Sequence, residues 1–490
     1  MTGLTENPRN RRPDAAAADE RESRPRGDEP DPLAAQAEEL GRLAAEWLVA
    51  QGRPTGAGLA WPTRPGDEET NSSLHQGTGG AVLALLESRA HFGEDRFGEA
   101  ALLGARSIAE DVRAADHDSL YFGLAGHAFV LRRVQRELGD EESGAAADRA
   151  LARIRERFDG ERWSPMFELF AGNAGIGLAA LAVADLELAV TAVAPYLKLA
   201  DETGAGVNWP VRPSPPRSHH IAHGTLGIAL ALAEVGRAAG RADLIEAALR
   251  GAADVVARDE AGPEGFLVPH SDPPHRPDII ERYSYGWCNG PAGDAIAFRL
   301  LGDVTGDPAW AGYGERCWHT LTTCGLPQRL RPGFWDNGAR CCGTAGVLAT
   351  ACDRLAVRAA AAAAGGAAAG GAAAVAAGAA AGAGAVEAAE AAGAAAQDGT
   401  AAFAEVLIGD IIARATVDDA GARWSNYEHK ATPPELEPQT GWAHGNAGII
   451  RELLRYARVR TGRDPAYAVA MPDHPQVATG SVVGERKARS

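Results

Sequence analysis

The amino-acid sequence predicts an all-α fold built from repeated helix pairs, and three observations carry that expectation. A G-x-x-G element followed by an apolar, small-residue run returns seven times, amphipathic helical segments lie between the copies, and strand-like alternation is scarce.

The copies are Gly77-Thr-Gly-Gly80, Gly123-Leu-Ala-Gly126, Gly172-Asn-Ala-Gly175, Gly224-Thr-Leu-Gly227, Gly290-Pro-Ala-Gly293, Gly343-Thr-Ala-Gly346 and Gly445-Asn-Ala-Gly448. From first glycine to first glycine the intervals are 46, 49, 52, 66, 53 and 102 residues, so most units have room for two helices and their connections. Runs after the glycines, such as IGLAALAVADL at 176–186 and IALALAEVG at 228–236, predict helices with small residues on a close-packed face. The segments between, such as LAAQAEELGRLAAEWLVA at 33–50, have ordinary amphipathic spacing and predict an outer layer. Periodicity alone allows both an open solenoid and a closed ring.

The long last interval holds residues 358–397, rich in alanine and glycine, whose glycines break helix and whose alanines bury little surface. A flexible surface insertion is expected there, not a membrane span, because alanine gains little from transfer into hydrocarbon. Residues 1–33 are polar, charged and proline-rich and predict a disordered tail; 34–465 read as one repeat domain and 466–490 as a C-terminal tail. No apolar stretch of signal-peptide length lies near Met1, so a cytoplasmic protein without an integral membrane segment is expected.

With 46% hydrophobic residues the chain can bury a large core, and a formal charge of −17 leaves no basic field for nucleic acid. All six cysteines fall between Cys288 and Cys352, a poor distribution for a disulfide framework and a natural one for metal binding or thiol chemistry.

The repeats supply their own alignment. Immediately before each first glycine stand Gln76, Phe122, Ala171, His223, Asn289, Cys342 and His444; one residue earlier stand His75, Tyr121, Phe170, Ala222, Cys288, Cys341 and Ala443. Equivalent columns at equivalent heights would bring Cys288, Cys341 and Cys342 to one point from adjacent sectors, where three thiolates leave a tetrahedral zinc one open position. The other readings are buried small hydrophobes or a vicinal Cys341–Cys342 disulfide. His223 lies in the neighbouring sector and is a candidate proton donor, with the acid Glu168 as a candidate partner or a helix-start ion pair. His219 and His220 read as loop residues or as residues supporting the site from behind, His444 as structural or substrate-lining, and Cys317, Cys324 and Cys352 as core.

Together WCNGPAG (287–293), RCCGTAG (340–346), IAHGTLG (221–227) and GWAHGNAG (441–448) resemble the lanthionine synthetase C-like family over roughly residues 35–465. The resemblance implies a seven-fold α/α toroid carrying one Zn2+, on which cysteine thiols add to dehydroalanine or dehydrobutyrine in Michael fashion. It implies Cys288, Cys341 and Cys342 as metal ligands, similar to the Cys-Cys-Gly subset of a family that often has Cys-His-Gly there. It implies His223 as the enolate-protonating acid and Glu168 as its companion, where peptide cyclases often have aspartate. ELFAGNAG (168–175) is similar to the family's stand-alone, eukaryotic-type branch. The expected substrate is a dehydrated precursor peptide made by a separate dehydratase; the alternative is addition of glutathione or another small thiol to dehydrated proteins. A non-catalytic helical scaffold with a structural metal is the alternative of another class.

Overall fold

The computed structural model describes residues 31–375 and 399–475. In chain order its α-helices are α1 (Pro32–Ala50), α2 (Thr78–Phe92), α3 (Asp95–Asp111), α4 (Leu124–Leu138), α5 (Glu141–Glu156), α6 (Asn173–Ala182), α7 (Leu186–Val193), α8 (Thr225–Ala239), α9 (Ala242–Val256), α10 (Pro291–Thr305), α11 (Pro308–Thr323), α12 (Thr344–Val375), α13 (Thr400–Ala413) and α14 (Asn446–Arg460). Strand is confined, among the described residues, to four two-stranded antiparallel ribbons in the connections. No helix there is long and apolar enough to cross a membrane.

The helices after the G-x-x-G elements form an inner ring. α2, α4, α6, α8, α10, α12 and α14 each pack on the next, and α14 packs back on α2, so the array closes into an α/α toroid. Closure explains their composition: with neighbours on both sides and an outer helix behind, α8 is buried at every position from Thr225 to Gly236. The outer helices show one face only, as in α9, where Leu244, Ala248, Gly251, Ala252 and Val255 face inward. Each outer helix packs against the inner helix before it, except that α1 packs against α14, the last inner helix.

Steric crowding accounts for the glycine pairs. A Cβ on Gly293 would stand 1.9 Å from the carbonyl oxygen of Trp287, and one on Gly448 would stand 2.1 Å from that of Trp442. The turn before each inner helix therefore folds back on itself within the space a side chain would fill.

Those turns join around the toroid. The amide of His75 donates to the carbonyl of Tyr121 (3.0 Å), Phe170 to Ala222 (3.1 Å), Ala222 to Cys288 (3.0 Å), Cys288 to Cys341 (3.1 Å), Cys341 to Ala443 (2.9 Å) and Ala443 to His75 (3.0 Å). These are the residues two before each first glycine, so one column of the repeat alignment is one hydrogen-bonded layer. Inside it, Tyr121 stacks on Phe170 with centroids 4.5 Å apart and meets Trp442 at 5.2 Å, while Trp287 meets Trp442 edge-on at 5.2 Å. This aromatic plug closes the axis.

Two stretches differ from the sequence expectation. Helix α12 runs through residues 358–375 of the alanine-rich stretch, because many alanines outweigh the helix cost of a few glycines; residues 376–398 lie outside the described residues, as does the tail before residue 31. Residues 466–475, expected as tail, are packed, with Tyr467, Val469, Met471, Asp473 and His474 buried. Asp473 accepts from the Tyr121 hydroxyl at 2.6 Å, and His474 bridges Arg340 (2.8 Å) and Asp353 (2.8 Å). Polar groups on the inner helices and the turns before them thus find their partners in the chain end.

Candidate metal centre and cleft

The turns preceding α10 and α12 bring three sulfurs together. Cys288 Sγ lies 3.1 Å from Cys342 Sγ, which lies 3.4 Å from Cys341 Sγ, and all three thiols are free. Cys288 and Cys341 are buried and Cys342 is half-buried, facing a cleft of about 620 Å³ that also meets His223, His270 and Arg212. The side-chain amide of Asn289 donates to Cys288 Sγ at 3.4 Å. Hydrogen bonds from the Cys341 and Cys342 thiols hold Cys288 well below the ordinary thiol range, while donating those bonds, together with burial, pushes the other two up. One thiolate is therefore sheltered by two thiols, whereas three together repel unless a cation joins them.

The donor set suits such a cation. Zn–S bonds of about 2.3 Å in a tetrahedron separate sulfurs by about 3.8 Å, so the three sulfurs need open by less than about 1 Å to receive one. Three soft ligands, two of them lining the cleft, would suit an ion that keeps a substrate position.

His223 lines this cleft, and Glu168 stands behind it. Glu168 is fully buried, and its carboxylate accepts from the backbone amides of Phe170 and Ala171, the latter at 2.9 Å. Its Oε2 lies 3.7 Å from His223 Nδ1, an ion-pair contact rather than a hydrogen bond. Burial opposes charge on His223, but the Glu168 carboxylate outweighs it and holds the imidazole above its ordinary value.

Two further histidines meet the sulfurs. Ligand atoms of His75, Cys341 and His444 lie within 4.8 Å of one another, as do those of Cys288, Cys341 and Cys342, so the two groups share Cys341. His75 is buried with Nδ1 unpartnered, and burial takes its pKa down to about 3, keeping it neutral. Asn337 donates to Nδ1 of His444 at 3.2 Å. Both residues were visible in the columns as His75 and His444, but a column gives height and not side-chain direction. His219 and His220 lie in the connection before α8 and are buried; Nδ1 of His220 pairs with Asp294 at 2.8 Å. Of the remaining cysteines, Cys317 and Cys352 are fully buried and Cys324 is half-buried. A larger groove of about 720 Å³ between α10, α11 and α12 contains no cysteine or histidine.

Comparison with known proteins places these features in a family. The family model described as lanthionine synthetase C-like protein matches residues 68–348. Among solved structures, the chain is similar to nisin cyclase (18% identity, 57% of this chain and 75% of that one, TM-score 0.47). It is also similar to a D-mannose isomerase (12% identity, 59% and 86%, TM-score 0.40) and to an unsaturated glucuronyl hydrolase from Bacillus sp. GL1 (18%, 59% and 83%, TM-score 0.38). No curated protein matches the sequence.

Proposed function

The chain belongs to the lanthionine synthetase C-like family, and from that premise we propose that it is a Zn2+-dependent enzyme adding cysteine thiols to dehydroalanine or dehydrobutyrine, forming thioether rings in a dehydrated peptide. The observation that carries this reading is that Cys288 and Cys342, two of three clustered thiols, line one cleft with His223, which Glu168 backs from the interior.

Cys288, Cys341 and Cys342 would hold the zinc, which would supply a cationic centre that favours the thiolate form of a substrate cysteine. The chain's own residues do the rest. Attack of the sulfur on Cβ forms the C–S bond, and the Cα–Cβ π pair moves toward the acceptor's carbonyl. His223, held protonated by Glu168, donates its proton to Cα and is reprotonated from solvent, which has taken the substrate thiol's proton. Glu168 stays in place because backbone amides fix both of its oxygens. The free thiols that such a site needs persist in a reducing compartment, which favours the cytoplasm. The dehydrated substrate implies a separate dehydratase.

The test is mass spectrometry of zinc-loaded protein with a synthetic peptide carrying one cysteine and one dehydroalanine. Loss of free thiol without change of mass is the expected product signature, absent with Cys342→Ala. Full ring formation by a zinc-free Cys342→Ala variant would overturn the mechanism. The same peptide lacking cysteine, offered with glutathione, distinguishes the second reading suggested by the Glu168 pattern: a mass gain of one glutathione assigns the small thiol as substrate.

A further inference from the structure

The addition leaves one charge that neither the cysteines nor His223 meets: the negative charge that develops on the acceptor's carbonyl oxygen before Cα is protonated. Arg212 is a cleft residue whose guanidinium keeps an unpartnered N–H. It lines the same cleft as His223, Cys288 and Cys342. Its position is fixed by the main chain, because the amide of Phe167, next to Glu168, donates to the carbonyl of Val211 at 2.8 Å. Its guanidinium gives one Nη2–H to the Ser218 hydroxyl at 3.1 Å, while Nε is buried without a hydrogen-bond partner.

Of the other arginines of this cleft, Arg276 is exposed to solvent and two are paired with carboxylates. Arg282 pairs with Glu260 at 2.5 Å and Arg331 with Glu281 at 3.3 Å. Among the described residues no carboxylate lies within 4.0 Å of Arg212; Glu168 acts on it only at longer range and is engaged by backbone amides and His223. A half-buried guanidinium with an unpartnered N–H costs desolvation in the free protein, and an anion arriving during reaction recovers it.

We infer that Arg212 is a catalytic residue which donates a hydrogen bond to the enolate oxygen formed as the thiolate sulfur bonds to Cβ. The electron pair of the broken π bond rests on that oxygen until His223 delivers its proton to Cα, after which the neutral carbonyl releases the guanidinium. Arg212 and His223 then divide the work along the acceptor: one holds charge on oxygen, the other quenches it at carbon. Donors of this kind contribute where charge appears only in the transition state, so the effect belongs in kcat.

This inference rests on the thioether-forming reading, and the experiment separates the two. Zinc-loaded wild type, Arg212→Met and Arg212→Lys are compared on the cysteine–dehydroalanine peptide and on glutathione with the cysteine-free peptide, with zinc content measured in each. Arg212→Met is expected to keep its zinc and lose about 10²-fold in kcat with KM changed little, and millimolar guanidinium to restore part of that loss. Arg212→Lys, which keeps the charge on a shorter and narrower donor, guards against a folding defect and is expected to lose about tenfold. A kcat within twofold of wild type in either variant, or a loss confined to KM, overturns the role, the latter pointing to ground-state binding of a substrate carboxylate. If the wild type itself forms no thioether with either substrate, the functional reading fails and this inference with it.

Discussion

The protonation state of His223 is decided by its immediate neighbours. Glu168 and Cys288 favour the imidazolium, while burial and Arg212 oppose it, and Glu168 prevails because its carboxylate is buried, fixed and 3.7 Å away. A histidine whose pKa is raised keeps its proton as pH climbs past the ordinary value, so donation to Cα persists there and is lost as pH rises through the raised pKa. Glu168→Gln removes the carboxylate and leaves Cys288 alone against burial and Arg212. The basic limb of the kcat–pH profile is then expected to move to lower pH, and an unmoved limb would show that Glu168 does not govern His223. The two overlapping ligand groups make a second residue-level prediction. If the ion sits on the three sulfurs, elemental analysis finds about one zinc per chain in His444→Ala and none in Cys342→Ala. The reverse pattern would move it to His75, Cys341 and His444.

Between residue and ring stands the turn–helix unit, and its second glycine is under the tightest constraint. At Gly293 a methyl group would meet the Trp287 carbonyl oxygen at 1.9 Å and Ile221 Cγ2 at 2.5 Å, so the turn carrying Cys288 must shift to admit it. Gly293→Ala is expected to lower the melting temperature by several degrees and to weaken zinc binding together, because one turn sets both. Retention of wild-type zinc affinity would separate the turn from the metal. Much of this was legible beforehand: the alignment of G-x-x-G copies put Cys288 and Cys341 in the column whose backbones hydrogen-bond around the ring, because a repeated unit repeats its heights. What escaped depends on directions and on distant partners. His75 and His444 lean toward the sulfurs by side-chain rotamer, which spacing does not encode, and Arg212 sits in a connection that belongs to no column. Residues 466–475 read as a tail because the groups that bury them, Glu87, Arg340 and Asp353, lie far away in sequence.

For the whole molecule, closure is the decisive property, since a ring whose last inner helix meets its first leaves no apolar end exposed. The end of the chain finishes that closure from within. Asp353 on α12 accepts from Arg455 on α14 at 2.6 Å and from His474 at 2.8 Å, while Arg340, joined to His474, pairs with Glu452 at 2.9 Å. All five are buried, so none of these charges has water to fall back on. Burial opposes the charge on Asp353, but His474 and Arg455 hold its carboxyl far below the ordinary range. The sign follows from that depression: the stabilisation is complete above the ordinary carboxylate pKa and is lost as pH falls toward the folded value. Asp353→Asn leaves Arg455 buried without its counter-charge and is expected to cost about 3–5 kcal/mol at neutral pH, read from the shift in the urea unfolding midpoint. The gap between variant and wild type should narrow in acid, where the unfolded wild type gains a proton that its folded form resists. A gap that stays constant from neutral to acid pH would mean that Asp353 holds the ring through shape and not through charge.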